Sequence, residues 1–152
     1  MLKIKDVQGE DLEEISRLDL MDDDIEELKG IGLADIPNTL RESCRMSMSV
    51  ICRCFYEDTT GEIIGVYGIS CEGFIWFLSS KKLKECYREF LRGTKEEFKY
   101  LTQEHSYAYN YVHGNHKRAI RWLKWLGIHI SEQIYTFPPS EEPYHKLEFI
   151  KE

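Results

Sequence analysis

The feature that most constrains this chain is a change of hydrophobic period near its middle. Phe74-Ile75-Trp76-Phe77-Leu78 is an unbroken apolar run, the pattern of a buried central strand. Directly after Ser79-Ser80 the apolar residues fall at helical spacing, with Leu83, Tyr87, Phe90 and Leu91 on one stripe and Phe98 and Leu101 continuing it. Gly93-Thr94-Lys95-Glu96-Glu97 interrupts that stripe and reads as a stop followed by a capping box, Thr94 with Glu97. Two helices or one kinked helix are both predicted.

The flanking segments read as smaller units of the same kind. Leu2 and Ile4 open a period-two strand, and Glu10-Asp11 opens a helix with Leu12, Ile15 and Leu18 as its apolar stripe. A second helix is predicted over Asp24–Lys29, ended by Gly30 and Gly32, and a third after Ile36-Pro37, reaching Cys44. Met46–Tyr56 and Glu62–Ser70 read as a strand pair around an Asp58-Thr59-Thr60-Gly61 turn, with Glu72-Gly73 as the next tight connection. Ser106–His113 is strand-like, His116–Leu126 is a helix closed by Gly127, and Ile128–Phe137 pairs with Tyr144–Ile150 across a Pro138-Pro139 interruption. The expected architecture is α+β, with helices flanking a mostly antiparallel central sheet of six to seven strands.

Composition narrows the function classes. The chain has 152 residues, without a linker, repeat or low-complexity tract, so one domain over residues 1–152 is expected. No apolar run approaches the ~18 residues of a membrane span, and the N-terminus does not read as a signal peptide. The net charge of −7 argues against nucleic-acid binding. The charge is also segregated: residues 1–42 carry a net −8, while 117–124 hold four bases and no acid. Five cysteines without a Cys-x-x-Cys pair imply reduced thiols in a cytoplasmic chain and no metal site.

The element order resembles the GCN5-related N-acetyltransferase (GNAT) fold over nearly the whole chain. Gly61-Glu62-Ile63-Ile64-Gly65 looks like that fold's third strand. Asn115 followed by Ala119-Ile120-Arg121-Trp122-Leu123-Lys124-Trp125-Leu126-Gly127-Ile128 looks like its last motif. The runs Trp76–Ser80 and Ile120–Gly127 are similar to a group of uncharacterised phage proteins, themselves similar to small internal virion proteins of short-tailed phages. The resemblance implies a fourth and fifth strand that splay apart, acetyl-CoA in the gap, and transfer of an acetyl group to an amine. Two departures favour a rival reading, a catalytically inactive binding or virion-associated module. The stretch after Leu78 lacks the glycines of the family's pyrophosphate loop, and Leu123 falls near the position of its general-acid tyrosine.

Candidate site residues follow from this frame. Phe77, Leu78, Ser79, Ser80, Lys81, Lys82, Asn115 and Lys117 are the expected cofactor-binding set, because basic residues at a helix start oppose the dipole unless an anion sits there. Solvated surface lysines are the alternative reading. His113 and Glu72 are the candidate bases. Capping at the strand–helix junction and turn chemistry beside Gly73 are the alternatives for these two. One of Trp122 and Trp125 is expected to face outward beside Arg121 and Lys124, as a protein contact would.

Overall fold

The computed structural model describes residues 1–138 and 141–150. Pro139 of the predicted interruption lies outside them, as does the end of the predicted 1–152 domain. The strands are β1 (Leu2–Asp6), β2 (Ile51–Glu57), β3 (Ile63–Ile69), β4 (Ile75–Ser79), β5 (Tyr107–His113), β6 (His129–Tyr135) and β7 (Tyr144–Ile150). The helices are α1 (Leu12–Ser16), α2 (Asp22–Gly30), α3 (Ile36–Ser47), α4 (Tyr87–Glu104) and α5 (Lys117–Trp125). A 3₁₀ turn over Lys81–Cys86 leads into α4.

The strands form two antiparallel sheets, β1-β2-β3-β4 and β5-β7-β6, rather than the single sheet expected. The reason is local. β4 and β5 meet at one parallel bridge, Phe74↔Tyr109, and then part. Further along β4 the segment before α2 takes the outer edge instead: Leu20 bridges Ser80, and Met21 N–H donates to Ser79 O at 3.1 Å.

Each side of the larger sheet carries its own core. Ile15, Leu28, Leu40 and Cys44 of α1–α3 pack on Cys52, Cys54, Val66, Trp76 and Leu78. Trp76 Nε1 donates to Ser47 Oγ at 2.8 Å, which ties α3 to β4. On the opposite face Phe90 and Leu101 of α4 pack on Phe55, Tyr67 and Ile69. β4 is therefore covered on both sides, as its apolar run requires. The five cysteines are free, with Cys44, Cys52 and Cys54 buried.

Two expectations change. The strand predicted from Met46 begins only at Ile51, because α3 runs on to Ser47, with Asp35 as its N-cap and Pro37 in its first turn. And α4 is a single helix through Gly93. A Cβ at that position would lie 3.3 Å from Phe55 Cε1, so this glycine marks close approach of helix to sheet, not a stop. Thr94 and Glu97 do not form a capping box. Thr94 Oγ1 donates to Leu91 O and accepts from Trp122 Nε1, while Glu97 pairs with Arg53 across to β2.

Candidate functional site in the gap between two strands

The site starts from the two edges of β4. On the inner edge Ser80 N–H donates to Ile64 O at 2.8 Å, and antiparallel alternation turns Leu78 and Trp76 the same way. Ile75, Phe77 and Ser79 therefore present their backbone groups outward. Ile75 O accepts from Asn110 Nδ2 at 2.5 Å, which closes the lower end of the gap. Ser79 N–H donates to Asp24 Oδ2 at 3.3 Å. Phe77 lies between them and faces the opening.

That opening is a cleft of about 190 Å³. Its walls are largely apolar, with Phe77, Phe90, Val112, Trp122 and Leu123 among them. Phe77, Phe90 and Trp122 form one aromatic cluster, each pair 5.2–5.6 Å apart between ring centroids. Outside the cleft, between α4 and α5, runs a groove lined by Lys84, Tyr87, Arg118, Arg121, Trp122 and Trp125. Arg118 lies 6.0 Å from the centroid of the Tyr87 ring.

The mouth is polar. Asp24 and Glu27 are three residues apart and so share a face of α2. His116 occupies the N-cap position of α5 and reaches them, its Nδ1 lying 3.0 Å from Glu27 Oε1 and its Nε2 3.6 Å from Asp23 Oδ2. Glu27 is held in place from the second sheet as well: His113 N–H donates to Glu27 Oε1 at 2.9 Å, and Tyr144 Oη donates to Glu27 O at 3.0 Å. Burial pushes the Asp24 carboxyl up to about 7; the charge of Glu27 adds to that, and the Ser79 amide and His116 oppose it. Burial lowers the proton affinity of His116, but the hydrogen bond to Glu27 and the charges of Glu27, Asp24 and Asp23 leave it above the usual imidazole value. The mouth therefore holds exchangeable protons near neutral pH.

Ligand atoms of Asp24, Glu27 and His116 all lie within 4.8 Å of one another, so these three could share a divalent cation. Each also has a protein partner, so the cluster is complete as a hydrogen-bonded proton-holding group.

The candidate residues named from sequence divide into those at the cleft and those away from it. Phe77 and Ser79 line it. Leu78 points into the α1–α3 core, and Ser80 caps the 3₁₀ turn by accepting from Lys82 N–H at 3.1 Å. Lys81 lies 3.7 Å from both Asp19 and Asp22, and Lys82 lies 2.6 Å from Glu62. The charge that faces the groove is instead Lys84, Arg118 and Arg121. Asn115 and Lys117 are exposed at the start of α5. Glu72 is exposed in the turn before β4, at the end remote from Ser79. His113 is buried; its Nδ1 accepts from Asn115 N–H and its Nε2 lies 2.9 Å from Glu142 Oε2, so it braces the junction. Asp24, Glu27 and His116 were not singled out as a group. The three come from helices about 90 residues apart, and the only local signal was the Asp-x-x-Glu spacing on α2.

Trp125 is the outward-facing tryptophan, 49% exposed, with Lys95 Nζ 4.7 Å from its ring centroid. Trp122 is half-buried in the aromatic cluster. Among the described residues no helix is long and apolar enough to cross a membrane.

No protein-family model matches the chain, and no curated protein matches it. Solved structures do, over nearly its full length. An acetyltransferase of the GNAT family from Streptococcus pneumoniae is 14% identical, with a TM-score of 0.64 and coverage of 99% of both chains. One from Bacillus anthracis is 11% identical, with a TM-score of 0.65, covering 98% of this chain and 94% of that one. A spermidine N-acetyltransferase chimera from Vibrio cholerae and hSSAT is 11% identical, with a TM-score of 0.67 and coverage of 98% and 95%. The fold is that of the GNAT acetyltransferases.

Proposed function

We propose that a protein with this fold and this cleft transfers an acyl group from acyl-CoA to an amine. The observation that carries the reading is the alignment of three features along one opening: a basic, aromatic groove outside, the outward-facing amide of Phe77 within, and a proton-holding cluster at the far mouth. Fold likeness alone does not establish an activity.

On this reading the phosphates of the donor lie against Lys84, Arg118 and Arg121, where guanidinium groups can form paired hydrogen bonds. Tyr87 and Trp125 offer stacking surface beside them. The pantetheine passes between β4 and β5 and brings the thioester carbonyl to the N–H of Phe77, an oriented donor that strengthens as the oxygen becomes negative. The amine nitrogen attacks the acyl carbon while its proton passes to Asp24. The C–S bond then breaks, its electron pair leaves on sulfur, and the thiolate takes a proton from water, balancing the one that the amine gave to Asp24. A carboxyl with a pKa about 7 is well matched to accept that proton. The acidic mouth, with Asp23, Asp24 and Glu27 together, fits an acceptor that arrives as a cation.

One observation favours a second reading, a GNAT-fold binding module of the phage group whose runs the sequence resembles. The amides after β4 are already used: Lys81 N–H donates to Asp19 O, Lys82 N–H to Ser80 Oγ and Leu83 N–H to Ser80 O. A pyrophosphate would therefore be held by side chains rather than by a backbone cradle. Isothermal titration with coenzyme A and acetyl-CoA separates the readings. The transferase reading expects saturable binding, weakened by salt. No heat at millimolar ligand, together with no acetyl transfer to a panel of polyamines, would leave the module.

A further inference from the structure

The cleft continues past the point that an acetyl donor needs. Below Phe77 it runs along β4 under α4 toward the closed end of the gap, where Ile75, Phe98, Leu101, Val112, Leu123 and Leu147 line it. The whole cleft, its polar mouth and the path of the pantetheine included, measures about 190 Å³. The polar side chains beside this lower part are largely paired with one another, although Arg53 Nε is buried without a hydrogen-bond partner. Tyr67 Oη donates to Glu97, whose two carboxylate oxygens accept from Arg53 Nη1 at 3.0 and 2.9 Å, and Asn110 Nδ2 donates to Ile75 O.

We infer that this lower pocket receives the hydrocarbon chain of a medium-chain acyl donor, so that the preferred substrate is a longer acyl-CoA rather than acetyl-CoA. The inference rests on the transferase reading above and deepens it. Its physical basis is continuity. A thioester held at Phe77 N–H has its acyl carbon at the top of an apolar space leading to Leu101. Each methylene moved from water into such a space adds to affinity. An acetyl group, with one methyl, leaves the space unfilled.

The test is a chain-length series on the intact protein. Coenzyme A, acetyl-CoA, hexanoyl-CoA and octanoyl-CoA are titrated by calorimetry, and their transfer to a common amine is compared by kcat/KM. Octanoyl-CoA is expected to bind at least about tenfold more tightly than acetyl-CoA, given the gain per buried methylene. Leu147 lines the lower pocket from β7, and Leu147→Phe puts extra volume into it. Val112→Leu does the same from β5. Either variant, with its fold checked by circular dichroism, is expected to lose the preference for the longer chain while still binding acetyl-CoA. Equal affinity for the two esters, or tighter binding of acetyl-CoA, would overturn the chain pocket and leave the transferase reading intact. Failure of coenzyme A and every ester to bind would overturn both.

Discussion

The two ends of β4 differ in how their outer edge is satisfied, and the difference separates architecture from chemistry. At the lower end the partners are backbone and amide: Tyr109 N–H donates to Gly73 O at 2.8 Å, Asn110 donates to Ile75 O, and Phe74 packs edge-on against Tyr109. At the upper end the partner of Ser79 N–H is a buried carboxylate, and around it stand Glu27 and His116. One end is a hinge pin between two sheets. The other keeps ionisable groups where burial makes them costly, and such groups cluster at sites of chemistry.

The largest expected effect comes from titrating the upper end. Asp24 has a folded pKa of about 7, raised from 3.8, so between those values the folded state binds more protons than the unfolded one. Stability therefore falls as pH rises from about 4 through 7. His116, also raised, works in the same sense: its contribution is present below the unfolded value and is lost as pH rises through the folded one. The Asp24 part of this loss should be on the order of 2–3 kcal/mol between pH 5 and 8, read from urea midpoints, with His116 adding in the same direction. Asp24→Asn keeps an acceptor for Ser79 N–H but cannot titrate, and should flatten most of this slope. On the transferase reading the same change should abolish transfer, because kcat/KM of the unmodified protein is then expected to rise as Asp24 loses its proton. A slope unaffected by Asp24→Asn would assign the upper end to structure alone.

A smaller effect is expected at the lower end. Gly73 has φ of +90°, and a Cβ there would lie 3.1 Å from the backbone oxygen of Tyr107. Gly73→Ala meets both the left-handed backbone cost and the approach of β5, so a loss of about 2 kcal/mol is expected. It should be independent of pH, with the pKa of the rate profile unchanged. If the substitution also shifts that profile, the two ends are coupled and the division between hinge and chemistry fails.

How much of this could be read from the residues depends on how local the signal is. The order of strands and helices was legible because period two and period 3.6 are written in neighbouring residues, and Tyr144–Ile150 appears with the bounds expected. Gly93 was misread because a helix stop and a close approach call for the same residue, and only the position of Phe55 distinguishes them. The splay was expected from resemblance. That it divides the strands into two sheets depends on Leu20 and Met21 occupying the edge of β4, some 60 residues away in sequence. Charge was the hardest to read. Lys81 and Lys82 looked like an anion site because lysines at a helix start oppose the dipole, whereas their partners Asp19, Asp22 and Glu62 come from other elements. Asp24 and Glu27 were counted among the acids of residues 1–42, and His116 was read as the first residue of the last helix.

That difference in partners sets the smallest and most discriminating prediction. Lys82 is exposed and paired with Glu62, an arrangement that contributes little in water. Lys81→Gln and Lys82→Gln should leave both the melting temperature and the affinity for coenzyme A unchanged within error. Arg118→Gln should weaken coenzyme A binding by about tenfold, near the ~1.4 kcal/mol of one charge-assisted contact, and Lys84→Gln by somewhat less. Both losses should shrink as salt rises, since the groove is open to solvent. The reverse pattern, with Lys81 and Lys82 carrying the affinity, would move the phosphates to the turn after β4 and detach the donor from the groove between α4 and α5. Binding that none of the four substitutions changes would mean that coenzyme A is held elsewhere, and the alignment of groove, strand amide and proton-holding mouth would lose its first member.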